Sequence, residues 1–217
     1  MSDKSNKYGY VGVDIPAQSF GANKGVFNPA EINELVADNK WTTFGQLELI
    51  ETQTVDDSDF SELILYVDFT NLGDYDVHFL VYSDFQTQGY GYPSLRFSNN
   101  GGSSFISAGY QYAYFSYYNT SSFQESRSTS ADTIRLNHNQ YQNMNGYVYL
   151  YNLLDSSKYS FTTSHNSNVA GNNVTNDMAF GSGVKPTAEV HNAIRFRMNN
   201  ANYIGALKIS LYGIRYS

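Results

Sequence analysis

From Trp41 onward, apolar residues recur at alternate positions in short runs, each closed by a cluster of Asn, Gly, Ser or Asp. That period belongs to strands, because successive side chains of a strand point to opposite faces. The stretch "QLELIETQTV" places Leu47 and Leu49 on one side and Glu48 and Ile50 on the other. "SELILYVDFTNL" is a fuller apolar run, the signature of a strand buried on both faces. "YDVHFLVYSDF" follows, with Tyr75, Val77, Phe79 and Val81 sharing one face and His78 facing solvent. In "SLRFSNNGGSSF", Asn99-Asn100-Gly101-Gly102 supplies the positive φ angles of a tight turn.

Further along, the Ser/Thr-rich segment from Tyr118 to Thr133 reads as a loop, and "TIRLNHNQYQNMNGYVYLYNL" as two strands joined at Asn145-Gly146. "KYSFTTSHNS" is a strand, and "NVAGNNVTNDM" a long loop. "MAFGSGV", "AIRFRM" and "ALKISLYGIRY" are three more strands. So many short strands without an intervening helix predict an all-β fold, an antiparallel β-sandwich of jelly-roll or lectin-like type.

The exception lies near the start. In "VFNPAEINELVADNKW", Asn28 is a good N-cap, Pro29 suits the first helical position, and Glu31 completes a variant of the capping box. Ile32, Leu35 and Val36 then form a narrow apolar stripe. The preceding "YGYVGVDIPAQSFGANKG" holds four glycines and one proline and predicts an extended arm. The expected division is therefore 1–40 as an arm with a short helix, and 41–217 as the sandwich. Val11, Val13, Ile15, Phe20 and Phe27 are the arm's candidate docking residues, since they have no strand partner close by.

A row of phenols stands out in "GYQYAYFSYYNTSSF". Tyr110, Tyr112 and Tyr114 fall on alternate positions and Tyr118 closes the strand. Tyr at a boundary buries its ring and keeps its hydroxyl wet, which is the first reading of this row. A contact between subunits is the second and a platform for stacking sugars the third, so these four tyrosines are candidates for an interface or a glycan site.

Charge narrows the partners. Charged residues make up only 15% of the chain and the net charge is −7, with the thirteen Lys and Arg scattered singly. Phosphate recognition depends on clustered cations, so nucleic acid is not an expected partner. The absence of cysteine removes disulfides, thiolate metal sites and thiol catalysis. No apolar run spans a bilayer and "MSDKSNKYGY" lacks the apolar core of a signal peptide, so synthesis in a cytoplasm without membrane insertion is expected.

Catalytic chemistry finds little foothold. His78, His138, His165 and His191 show no metal-ligand spacing, and neither "GGSS" nor "GSG" is a nucleophile elbow, so both glycine stretches read as turns. Glu48 and Glu51 are the candidate acids on one strand, but at odd spacing a regular strand sends them to opposite faces. Asp56, Asp57, Asp59 and Glu62 lack the glycine and spacing of an EF-hand loop. No enzyme activity, cofactor or metal is expected.

One resemblance runs along nearly the whole chain. "SFGANKGVFNPAEINELVADNKWTTFGQLELIETQTV", followed by "LRFSNNGGSSF", "YQYAY" and the closing "SLYGIRYS", resembles structural proteins of tailed phages that infect marine cyanobacteria and other marine bacteria. The resemblance implies a virion component (a fibre, tail appendage or capsid-surface protein) that docks through its arm and displays the sandwich. Its implied partners are other virion proteins, and it sets at three the copies of the homo-oligomer that the surplus of aromatic residues predicts; the aromatics also support an alternative, a carbohydrate-binding module that recognises host surface glycan. It carries no catalytic residues with it.

Overall fold

The computed structural model describes residues 29–37, 47–57, 59–89, 91–119, 122–137, 142–169, 176–199 and 203–214. The chain divides into two compact units, 1–44 with Ser217 and 45–216. Of the first, the described part is helix α1, Pro29–Ala37, which starts at the proline the capping pattern favours. The proposed docking residues Val11, Val13, Ile15, Phe20 and Phe27 lie outside the described residues.

The second unit is an all-β sandwich of two antiparallel sheets. Its strands are β1 (Leu47–Asp56), β2 (Tyr66–Phe69), β3 (Val77–Thr87), β4 (Pro93–Ser98), β5 (Tyr110–Tyr118) and β6 (Phe123–Ala131). They continue as β7 (Ile134–Arg135), β8 (Gln142–Tyr151), β9 (Ser160–Val169), β10 (Asn176–Lys185), β11 (Ala193–Met198) and β12 (Ile204–Ile214). The large sheet has eight strands in the order β1-β12-β3-β8-β9-β10-β5-β6, and the small one four, β2-β11-β4-β7.

The core lies between the sheets and changes character along the large one. Beneath β12, β3 and β8 it is aliphatic and aromatic: Leu207, Ile209, Leu211, Leu80, Tyr82, Val148 and Leu150 are all buried. Opposite them the small sheet contributes Leu95, Ile194 and Phe196. Beneath β9 the inward row is polar: Ser160, Thr162, Ser164, Asn166 and Asn168. Asn137 ties this row together, donating from Nδ2 to Asn166 Oδ1 at 2.5 Å and accepting from Ser116 Oγ at 3.0 Å. Asn166 Nδ2 in turn donates to Leu136 O at 3.0 Å. Buried amides are tolerable only because the network closes on itself.

Several local expectations change. Leu47 and Leu49 face solvent, Leu49 at 58% exposure, because β1 is the edge strand and turns Ile50 toward the core. The run "SELILYVDFTNL" yields only the four-residue edge strand β2. His78 is fully buried, since β3 turns His78, Leu80 and Tyr82 inward and Phe79 and Val81 outward. The segment 118–133 is largely a strand, β6, which pairs with β5 and gains its backbone bonds there.

Asn145-Gly146 is no hairpin; it sits inside β8, where a Cβ on Gly146 would lie 2.6 Å from both Tyr82 Oη and Asn166 Cβ. The glycine serves a close approach rather than a turn. The same holds for Gly181 and Gly183 within β10, where added Cβ atoms would meet Tyr114 Cβ at 2.6 Å and Ile134 Cγ2 at 2.4 Å. Only Gly101 and Gly102, at φ 69° and 86°, fulfil their turn role.

Candidate functional site

The four candidate tyrosines line the inner side of β5. Tyr110 is fully buried and Tyr114 nearly so, so neither ring is available to a sugar or a partner. Tyr112 is half-buried and stacks on Tyr114 with 6.1 Å between centroids, while Arg135 lies 5.5 Å from the Tyr114 centroid and 3.6 Å from that of Tyr92. Tyr118 is half-buried, and burial together with nearby Asp177 pushes its phenol up to about 12. The first reading, a packed ring with a wet hydroxyl, does not describe Tyr110, which is fully buried and whose hydroxyl accepts from the Phe97 amide.

The exposed rings lie on the opposite face of the large sheet. Antiparallel register sets residues of neighbouring strands side by side, and the outward positions form rows across the sheet. One row runs Tyr212, Phe79, Tyr149, Thr163, Ser182, Ala113, Arg127. The next runs Val81, Tyr147, His165, Phe180, Phe115, Glu125. On the β3–β8 side, Phe79 packs 4.8 Å from Tyr149 and 5.7 Å from Tyr147. On the β10–β5–β6 side, Phe115 lies 5.6 Å from Phe180 and 5.4 Å from Phe123. Phe180 is 50% exposed and Phe123 63%.

Between these clusters the first row carries only Thr163, Ser182 and Ala113. The missing bulk leaves a surface groove of about 530 Å³, walled by Phe115 and Phe180 and flanked by Glu125 and Arg127 from β6. Its size falls within the usual range of ligand clefts, roughly 300–1,000 Å³. The sequence does carry a signal for this face. In "GYVYLY" the tyrosines alternate with Val148 and Leu150, and where aliphatic residues take the core the phenols must face out.

The acids sort differently from their spacing. A β-bulge between Leu49 and Glu51 sets Glu48 opposite Gly213 and Glu51 opposite Leu211, so both carboxylates lie on one face after all. Each is engaged, Glu48 accepting from Tyr75 Oη at 2.7 Å and Glu51 from Gln53 Nε2 at 2.8 Å. Asp57 is tied down too. Burial pushes its carboxyl up, but the Ser61 hydroxyl and the Ser61 and Glu62 amides outweigh that and hold it below the usual range.

One triad-like arrangement exists among the described residues. Ser160 Oγ lies 2.7 Å from His191 Nδ1, and His191 Nε2 lies 3.4 Å from Glu189 Oε1 without a hydrogen bond. Ser160 Oγ also lies 3.4 Å from Asn152 O, and the ring tautomer sets whether the serine donates to Nδ1 or accepts from it. Both side chains are sealed from solvent, so the arrangement ties β9 to the loop before β11.

His78 is the second sealed imidazole. Its Nε2 donates to Leu72 O at 2.8 Å, while Nδ1 has no partner. Burial lowers the basicity of both rings; the Leu72 carbonyl opposes this at His78 and Glu189 opposes it at His191. The unfolded chain therefore binds more protons below the ordinary histidine value of about 6.5, and stability is lost as pH falls through it. Thermal unfolding between pH 7.5 and 5 should show that decline, up to about 1.4 kcal/mol per pH unit for each ring. His78→Asn and His191→Asn should each flatten it, and an unchanged slope in both variants would exclude the histidines as its source.

No family model and no curated protein matches the chain. A solved structure to which it is similar is the CBM2 module of Lactobacillus casei BL23 phage J-1 evolved Dit. That alignment covers 76% of this chain and 70% of that one, at 8% sequence identity and a TM-score of 0.20.

Proposed function

We propose that the chain is a structural, non-catalytic component of a tailed-phage particle, a fibre, tail-appendage or capsid-surface protein that displays its sandwich for attachment. The observation that carries the attachment role is the outer face of the large sheet, where exposed rings surround a groove. A single sandwich has no need of such a face for its own stability, and exposed apolar patches on stable proteins commonly mark interaction sites. The resemblance of the sequence to marine phage structural proteins supports the virion setting, and the low positive charge fits a partner other than nucleic acid. The segment before the helix serves as the docking element, and copies assemble as a homotrimer.

Mass spectrometry of purified particles tests this reading. The chain should appear in stoichiometric amount, and a variant lacking residues 1–27 should be made, fold and be missing from the particles. Incorporation of that variant at the normal level would overturn the docking role. Sedimentation at micromolar concentration should give the mass of three chains; a monomer would remove the trimer from the proposal.

A further inference from the structure

We propose that the groove on the outer face of the large sheet binds a neutral oligosaccharide chain. This deepens the attachment reading and rests on it. The groove follows the row from Thr163 on β9 to Arg127 on β6, three strand spacings apart, so it is roughly 14 Å long at about 4.8 Å per strand. That length and an open shape suit an extended chain of several sugar rings better than a compact metabolite.

The chemistry along the groove divides as a pyranose does. Phe115 and Phe180 offer aromatic faces, whose electron-rich π systems attract the slightly positive C–H faces of a sugar ring. Thr163 and Ser182 add hydroxyls that both donate and accept. Glu125 accepts and Arg127 donates in parallel pairs, matching vicinal hydroxyls. Among the described residues neither of these two charged groups has an ion-pair or hydrogen-bond partner, so both remain open to a ligand.

Charge decides among the polysaccharides. With a net charge of −7, the protein repels polyanions, and a single arginine in the groove does not reverse that. A second copy of this chain is a poorer occupant, because burying Glu125, Arg127 and Ser182 in a dry contact would strand three polar groups, while Thr163 keeps the Tyr151 hydroxyl.

The test uses the full chain on a printed glycan array, then affinity electrophoresis in gels containing laminarin, mannan or alginate. At least one neutral glycan should bind, and alginate should not. Phe115→Ala and Phe180→Ala should each weaken that binding at least tenfold, and Arg127→Ala more modestly, with the melting temperature and the mass in solution unchanged. Absence of any neutral ligand on the array overturns the proposal, as does undiminished binding by the Phe115→Ala/Phe180→Ala double variant. A loss of oligomer mass in that variant also overturns it, because the groove would then be a contact between copies. Failure here with the chain present in particles leaves the virion reading intact; glycan binding by a chain absent from particles removes only the virion reading.

Discussion

Phe196→Ala should lower the unfolding free energy by about 3–5 kcal/mol, the usual cost of emptying a buried phenylalanine site. Phe196 on β11 has no exposure to solvent and is the point where the two sheets meet. Its ring centroid lies 5.1 Å from that of Tyr82 and 5.2 Å from that of Phe85, both on β3 and both buried. The neighbours cannot close the gap easily. Tyr82 is crowded against Gly146, and moving it inward would strip its hydroxyl of Met144 Sδ at 3.7 Å. The measurement is urea unfolding, with a lower midpoint and an unchanged slope. Phe196→Leu keeps much of the volume and should lose clearly less. A loss below about 1 kcal/mol for the alanine variant would mean the sheets do not depend on this contact.

How much of this was visible in the sequence depends on which residue pattern one asks about. Alternation located β1, β3, β5, β9, β10, β11 and β12 and so the fold class, because a period of two survives any error about which face is inside. The choice of face failed where polar and aromatic residues exchange their customary places. On β3 the buried set includes His78, which only its bond to the Leu72 carbonyl makes tolerable. On β9 the buried set is hydroxyls and amides, and its exposed set contains Phe161. Such an inversion depends on Asn137, more than twenty residues away in the chain, and no local window contains it.

The glycines misled for a related reason. Gly101 and Gly102 needed positive φ, whereas Gly146, Gly181 and Gly183 needed room beside a residue of a neighbouring strand. Both needs select the same residue, and only the pairing tells them apart. The bulge in β1 is likewise a tertiary fact, and it reversed the relation of Glu48 to Glu51. The outer aromatic face is legible in the sequence, since Tyr147, Tyr149 and Tyr151 alternate with Val148 and Leu150.

The tyrosine row of β5 gives the second large expected effect, and it separates a hydroxyl from a ring. Tyr110 Oη accepts from the Phe97 amide at 2.8 Å and donates to Ile106 O at 3.2 Å, so one phenol fixes both β4 and the chain leaving it. The ring meets Phe97 edge-on, 5.8 Å between centroids. Burial pushes the phenol's pKa far above its ordinary value, so it stays protonated and able to donate. Tyr110→Phe should therefore cost about 1–3 kcal/mol, chiefly because it leaves the buried Phe97 amide without its acceptor. Tyr110→Ala also removes the ring and should cost about 3–5 kcal/mol. Tyr112→Ala, at a half-buried position, should cost less than Tyr110→Ala. Chemical denaturation of the three variants fixes their order. If Tyr110→Phe proves neutral, the amide has found another partner and the hydroxyl is not what holds β4 to β5.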